Sequence, residues 1–253
     1  MELCQKNLKG FTLVELSVVI VIIGLIIAGV TAGRSIITTA KLNAQAQELQ
    51  KYDFAFNAFA LKYNAVAGDM KNASAYWPDA TDGDGNGYLN SGSVVGDPTD
   101  TSLELFTLFQ HLSLAKLISG SYDNTYTLGV GYPALKIDSS KGMIGAGHLG
   151  LPFYYGWMVT EEQNTAQHKA ILALIVSRPY ANDTGYAGYD GISIMSPLQA
   201  YYIDTKIDDG VPMKGKFNAY QNQSTFSELC ITDYNGVYVN TNNVTCMAQY
   251  ILK

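Results

Sequence analysis

Lys9-Gly10-Phe11-Thr12-Leu13-Val14-Glu15-Leu16 opens an apolar run that continues to Gly33 and stops at Arg34. Residues 11 to 33 carry 16 apolar side chains in 23 positions, and Glu15 is the single ionisable group among them. At about 1.5 Å per residue, a helix of that length reaches across a hydrocarbon core about 30 Å thick. Lys6 and Lys9 precede it on a short tail, which favours a cytoplasmic N-terminus and places the rest of the chain outside. A cleavable secretory signal has an apolar core of about 7 to 15 residues, shorter than this one. A plain signal anchor fits the length but leaves Glu15 unexplained, because an unpaired carboxylate within a span costs several kcal/mol.

The octet from Lys9 to Leu16, behind a short basic leader, resembles the processing site of the type IV pilin and type II secretion pseudopilin superfamily. The likeness covers residues 1 to about 35 and weakens beyond. It implies that a prepilin peptidase cuts after Gly10, that Phe11 becomes an N-methylated amino terminus, and that Glu15 assists assembly. It also implies other pilin or pseudopilin subunits and an inner-membrane assembly platform as partners. Physical chemistry agrees with the role of Glu15. A new ammonium at Phe11, on the same chain or the next subunit, would pair with the Glu15 carboxylate in low dielectric and so make its burial tolerable. A subunit docked in another register would leave that charge unpaired.

Outward from this run, no helix breaker appears between Arg34 and Gly68. Leu42, Leu49, Tyr52, Phe56, Phe59 and Tyr63 recur at helical spacing, which predicts one helix from about Phe11 to Tyr63. The chain then divides into a leader, 1 to 10, a transmembrane half-helix, 11 to 33, an amphipathic half-helix, 34 to 63, and an extracytoplasmic head, 64 to 253. Within the head, Thr101 and Glu104 form the S/T-x-x-E signature of a helix start, with an apolar face through Ile118 and a stop at Gly120. Strand-like runs follow near 126 to 137, 153 to 159 and 169 to 176, the last of which could equally be helical. Ser196-Pro197 opens a helix through about Lys206, and Tyr234-Asn-Gly-Val237 signals a hairpin. The expected class is α+β and pilin-like: a long N-terminal helix packed on a mainly antiparallel sheet.

Asp82-Gly-Asp84-Gly-Asn86-Gly-Tyr88 places oxygen-bearing side chains at alternate positions with glycine between, the spacing with which a turning loop wraps Ca²⁺. The pattern is incomplete, since an EF-hand would need an acid at Ser93, and a solvated acidic loop is the alternative. Asp82, Asp84 and Asn86 are the candidate ligands of a structural calcium ion, which the Tyr88 carbonyl, Asp79, Asp97 or Asp100 would complete. Pseudopilin heads are known to use loop calcium, so the resemblance points the same way. Asp208 and Asp209 read as side chains bonding backbone in a tight turn, with a second cation site as the alternative. Cys230 and Cys246 enclose 15 residues, and a bond closing that loop would stabilise by about 3 kcal/mol. The resemblance favours that disulfide, since many type IV pilins close a C-terminal loop this way; two buried thiols are the alternative.

Other patterns carry less. Gly145-Ala-Gly-His-Leu-Gly150 matches a dinucleotide fingerprint, but Leu151-Pro152 follows where a helix should open. His111, His148 and His168 lack paired-ligand spacing, and no G-x-S-x-G occurs, so nothing points to an enzyme. Sixteen Lys and Arg against 22 Asp and Glu give a net charge of −6, without the basic footprint duplex nucleic acid requires. Cleavage after Gly10 would leave 243 residues. The expected protein is therefore a prepilin-like subunit, single-pass in the bacterial inner membrane with a periplasmic head, assembling into a type II secretion pseudopilus. A minor type IV pilin for adhesion, motility or DNA uptake stands close behind, and an anchored periplasmic enzyme or binding protein further off.

Overall fold

The computed structural model describes residues 11–87, 89, 104–125, 127–146, 170–176, 180–181, 187–188, 193–212, 214–221, 229–232 and 236–252. Two compact units result, Met1–Lys41 and Leu42–Lys253. Helix α1, Leu13–Tyr63, supplies residues to both. It begins two residues later than expected because Thr12 serves as its cap. No proline interrupts it, and it ends where Asn64 turns left-handed at φ 51°.

In the first unit every residue from Phe11 to Ala32 is exposed, and α1 is long and apolar enough there to cross a membrane. In the second unit the same helix buries Leu42, Gln45, Ala46, Leu49, Tyr52, Ala55, Phe56 and Phe59, the stripe expected from the spacing. Tyr63 is half-buried. Polar groups in and beside the stripe hold the helix to the head. Asn43 accepts the Tyr202 hydroxyl at 3.1 Å, Gln45 accepts the Lys136 N–H at 2.7 Å, and Asp53 pairs with Lys216.

Helix α2, Glu104–Leu114, packs Leu105, Phe106, Leu108, Phe109 and Leu112 into the core. It stops short of the expected Gly120. Lys116 turns left-handed at φ 60°, and the Leu117 N–H closes back on the Leu112 carbonyl at 3.0 Å, a Schellman-type end. Ile118 is buried outside the helix. Thr101 lies outside the described residues.

The sheet is antiparallel throughout, in the order β1-β2-β6-β5. Its strands are β1, Lys141–Ala146, β2, Ala170–Val176, β5, Phe217–Gln221, and β6, Cys246–Leu252; a separate two-residue pair joins β3, Tyr180–Ala181, to β4, Ala187–Gly188. Ala173 pairs with Ile144 on one side and Gln249 on the other. The ambiguous run before residue 176 is thus a strand. The stretch near 126 to 137 forms only isolated bridges, and 153 to 159 lies outside the described residues. Gly145 sits inside β1, not at a helix start. A Cβ there would lie 3.0 Å from the Leu105 carbonyl oxygen, so glycine lets β1 approach α2. Helix α3, Pro197–Ile207, opens as expected. Ser196 and Gln199 form a complete capping box around Pro197. The architecture is α+β and pilin-like.

Candidate functional site

At the start of α1 the backbone donors of the first turn have no helical acceptors. Thr12 and Glu15 answer this reciprocally. The Glu15 carboxylate accepts the Thr12 N–H at 2.8 Å and the Thr12 hydroxyl at 2.9 Å, while the Thr12 oxygen accepts the Glu15 N–H at 3.2 Å. This is a capping box, and it gives Glu15 local partners within its own chain. Phe11 precedes it, 89% exposed, and Gly10 lies outside the described residues. The signature Thr12-x-x-Glu15 stands in the sequence as plainly as the one at Thr101, and could have been read in the same way.

The glycine-rich loop divides the expected calcium ligands. Asp84 lies with Asp69 and Glu104, a carboxylate oxygen of each within 4.8 Å of the others. Asp82 turns elsewhere: its two oxygens accept the Ser74 N–H and hydroxyl, both at 2.8 Å. Those bonds hold its carboxyl below the usual range. Asn86 donates its backbone and side-chain N–H groups to Asp84, each at 2.8 Å. Tyr88 lies outside the described residues. Around this loop the carboxylates placed to hold a hard cation together are therefore Asp69, Asp84 and Glu104, an oxygen-only set that suits Ca²⁺. Asp69 and Glu104 were missed because neither lies in the alternating stretch; they arrive from the turn after α1 and the first residue of α2.

Asp69 organises this loop. It accepts the Gly85 and Asn86 N–H groups at 2.7 and 3.0 Å on one oxygen and the Gly87 N–H at 2.7 Å on the other. Burial raises its carboxyl, and the neighbouring Asp84 adds to that, against the pull of the backbone donors. Gly83 lets the loop pass so close: a Cβ there would lie 2.5 Å from the Asp69 Cα.

His111 pins the same loop to α2. It is fully buried against the Phe59 and Trp77 rings, at 5.9 and 6.5 Å, which also touch each other. Its Nδ1 accepts the Gly68 N–H at 2.9 Å, so Nε2 carries the proton and donates to the Thr81 carbonyl at 2.8 Å. Burial lowers its pKa.

A groove of about 610 Å³ runs beside the loop, with Tyr63, Asn64, Met70 and Lys71 along its walls and Asp69 at its edge. Neither histidine nor cysteine lines it, and no nucleophile–base pair converges there among the described residues. Cys230 and Cys246, both fully buried, form a disulfide. Around it the Thr232 N–H meets the Val237 carbonyl and the Val239 N–H the Cys230 carbonyl, both at 3.0 Å, as a hairpin requires. The turn residues 233–235 lie outside the described residues. At the α3–β5 turn, Asp208 and Asp209 accept backbone N–H groups, as the structural reading expects, and with Asp204 they bring three carboxylates within 4.8 Å of one another, the grouping that the alternative cation reading needs.

No curated protein and no solved structure matches the chain. Residues 5–31 match the family model of the prokaryotic N-terminal methylation motif. With Glu15 in its place at the head of an exposed apolar helix, the chain carries the N-terminal signature of type IV pilins and pseudopilins.

Proposed function

We propose that this chain is a prepilin-like subunit that is cut after Gly10, methylated at Phe11, and assembled through α1 into a type II secretion pseudopilus as a minor subunit. The observation that carries the reading is the methylation motif at residues 5–31, which leads into an apolar half-helix exposed from Phe11 to Ala32. An exposed apolar surface of this kind needs lipid or the same surface of other subunits to cover it. The head then stands outside the cytoplasm, where a disulfide persists. Glu15 has a double use. Thr12 satisfies it before assembly, and the Phe11 ammonium of a neighbouring subunit replaces that partner in the filament. Any calcium held by the loop would fall to Asp69, Asp84 and Glu104, where it would neutralise three carboxylates crowded together.

A minor type IV pilin is the second reading, favoured by the disulfide-closed C-terminal loop. A deletion strain separates the two. Loss of secretion of an extracellular enzyme with surface pili intact supports the pseudopilus, and loss of surface pili with secretion intact supports the second reading. A strain normal in both respects contradicts the two together. Within either filament, Glu15→Ala should leave cleavage after Gly10 intact and abolish most incorporation; unchanged incorporation in sheared filaments contradicts the pairing role.

A further inference from the structure

The loop after α1 contains an asparagine followed by glycine, Asn86-Gly87, a pair prone to lose its side-chain amide because glycine has no side chain to hinder its own nitrogen. In that reaction the Gly87 nitrogen gives its proton to hydroxide and attacks Asn86 Cγ. The new N–Cγ bond closes a succinimide ring, the Cγ–Nδ2 bond breaks, and the amide nitrogen leaves as ammonia with a proton from water. Water then opens the ring at either carbonyl, leaving aspartate or isoaspartate. The net change is amide and water to acid and ammonia. The turn itself calls for this glycine, since Gly87 stands at φ 91°, in the left-handed region.

Asn86 is exposed, so water and hydroxide reach it, and only its conformation can protect it. Both reacting groups are held. The Gly87 N–H donates to Asp69 Oδ2 at 2.7 Å. A carboxylate is too weak a base to take the proton of an amide, and its charge opposes the amide anion that the attack needs. Asn86 Nδ2 donates to Asp84 Oδ2 at 2.8 Å, which ties the carboxamide to Asp84; a carboxylate only accepts, so the amide nitrogen is the end that faces it. The backbone is fixed along the same stretch. Gly83 donates to the Met70 carbonyl at 3.0 Å, Asp84 to Glu104 at 2.9 Å, and Gly85 and Asn86 to Asp69 Oδ1 at 2.7 and 3.0 Å. Asp69, itself buried, thus receives the last three N–H groups of the loop.

We propose that Asn86 is a deamidation site held latent by Asp69, and that it converts only when the loop leaves Asp69. Conversion runs one way. It replaces the donor that faces Asp84 by a second carboxylate, so like charges meet where a hydrogen bond stood and the loop cannot close on its former bonds. The acid at residue 86 is then a lasting mark of each loop that has opened.

The test incubates the full chain in detergent micelles at mildly alkaline pH with a chelator present, beside the same chain unfolded in urea. Peptide mass mapping, with aspartate and isoaspartate separated by chromatography, reads residue 86 over time. Because the reaction passes through the open loop, the folded rate is the unfolded rate multiplied by the open fraction. Asn86 should convert at least about tenfold more slowly in the folded chain, an open fraction below about one-tenth. Asp69→Ala removes the side-chain acceptor of Gly85, Asn86 and Gly87, and should restore most of the unfolded rate while the head still melts cooperatively. Should that variant not fold, Asp69→Asn, which keeps one accepting oxygen, takes its place with a smaller rise. A folded wild type that converts as fast as the unfolded chain, or a folded Asp69 variant that converts no faster than wild type, overturns the proposal. Protection that is lost in chelator and restored by calcium overturns it too, since a cation then holds the loop.

Discussion

At the residue scale, the side chains that decide the loop after α1 are those whose bonds leave no freedom of choice. His111 receives a backbone N–H on Nδ1 and gives its own proton to a carbonyl. Protonation would aim two donors at one another in a site closed to water. Its folded pKa lies below the unfolded value near 6.5. Stability should therefore hold above about pH 6.5 and decline as pH falls below it, by at most about 1.4 kcal/mol per pH unit. Melts of the wild type between pH 7 and 5, set against His111→Gln, check this; a slope unchanged in the variant contradicts it. For the carboxylates, calcium at about one hundred times its dissociation constant should stabilise by about 2.7 kcal/mol. The rise in melting temperature should persist in Asp82→Ala and be absent in Asp84→Ala. The reverse outcome would return the ligand set to the alternating stretch. That stretch points to Asp82 because spacing shows which residues can turn inward together, whereas the structure turns Asp82 to Ser74 and brings Asp69 and Glu104 from distant segments.

At the scale of elements, legibility followed the strength of local signals. Helix α1 was readable because a stripe recurring over six turns has no competing period, and α3 because Ser196, Pro197 and Gln199 each mark a helix start. Strands β1 and β5 were not read. Lys-Gly-Met-Ile-Gly-Ala and Phe-Asn-Ala-Tyr-Gln are poor in branched side chains; their strand state comes from pairing with β2 and β6, which tertiary context alone supplies. The end of α2 escaped for a similar reason, since a left-handed lysine carries no sequence mark. Packing sets the expected energetics. Phe59→Ala removes a fully buried ring and should cost the head about 3 to 5 kcal/mol. Phe54→Ala, on the exposed side of the same helix at 77% exposure, should change it by no more than about 0.5 kcal/mol. Gly145→Val should destabilise by about 1 to 3 kcal/mol, because its side chain would meet Leu105 and Leu108. Chemical denaturation of the three variants orders them, and equal losses for Phe54 and Phe59 would contradict the assigned face.

For the whole molecule, one helix carries two kinds of surface. Its first part presents apolar side chains on all faces and its second part a single stripe to a disulfide-closed α+β head. That division was legible in the sequence because composition alone separates the two parts, and the proposed assembly role rests on one misplaced-looking carboxylate, Glu15. In the proposed function the processing step joins these features, for without cleavage after Gly10 there would be no ammonium at Phe11 to meet Glu15. The deciding measurement is the intact mass and N-terminal fragmentation of the protein purified from cells that contain the prepilin peptidase. A mature chain of 243 residues that begins at N-methylated Phe11 is expected, and an uncut chain in Gly10→Val. A wild-type chain that retains residues 1 to 10, or one cut anywhere else, would contradict the assignment.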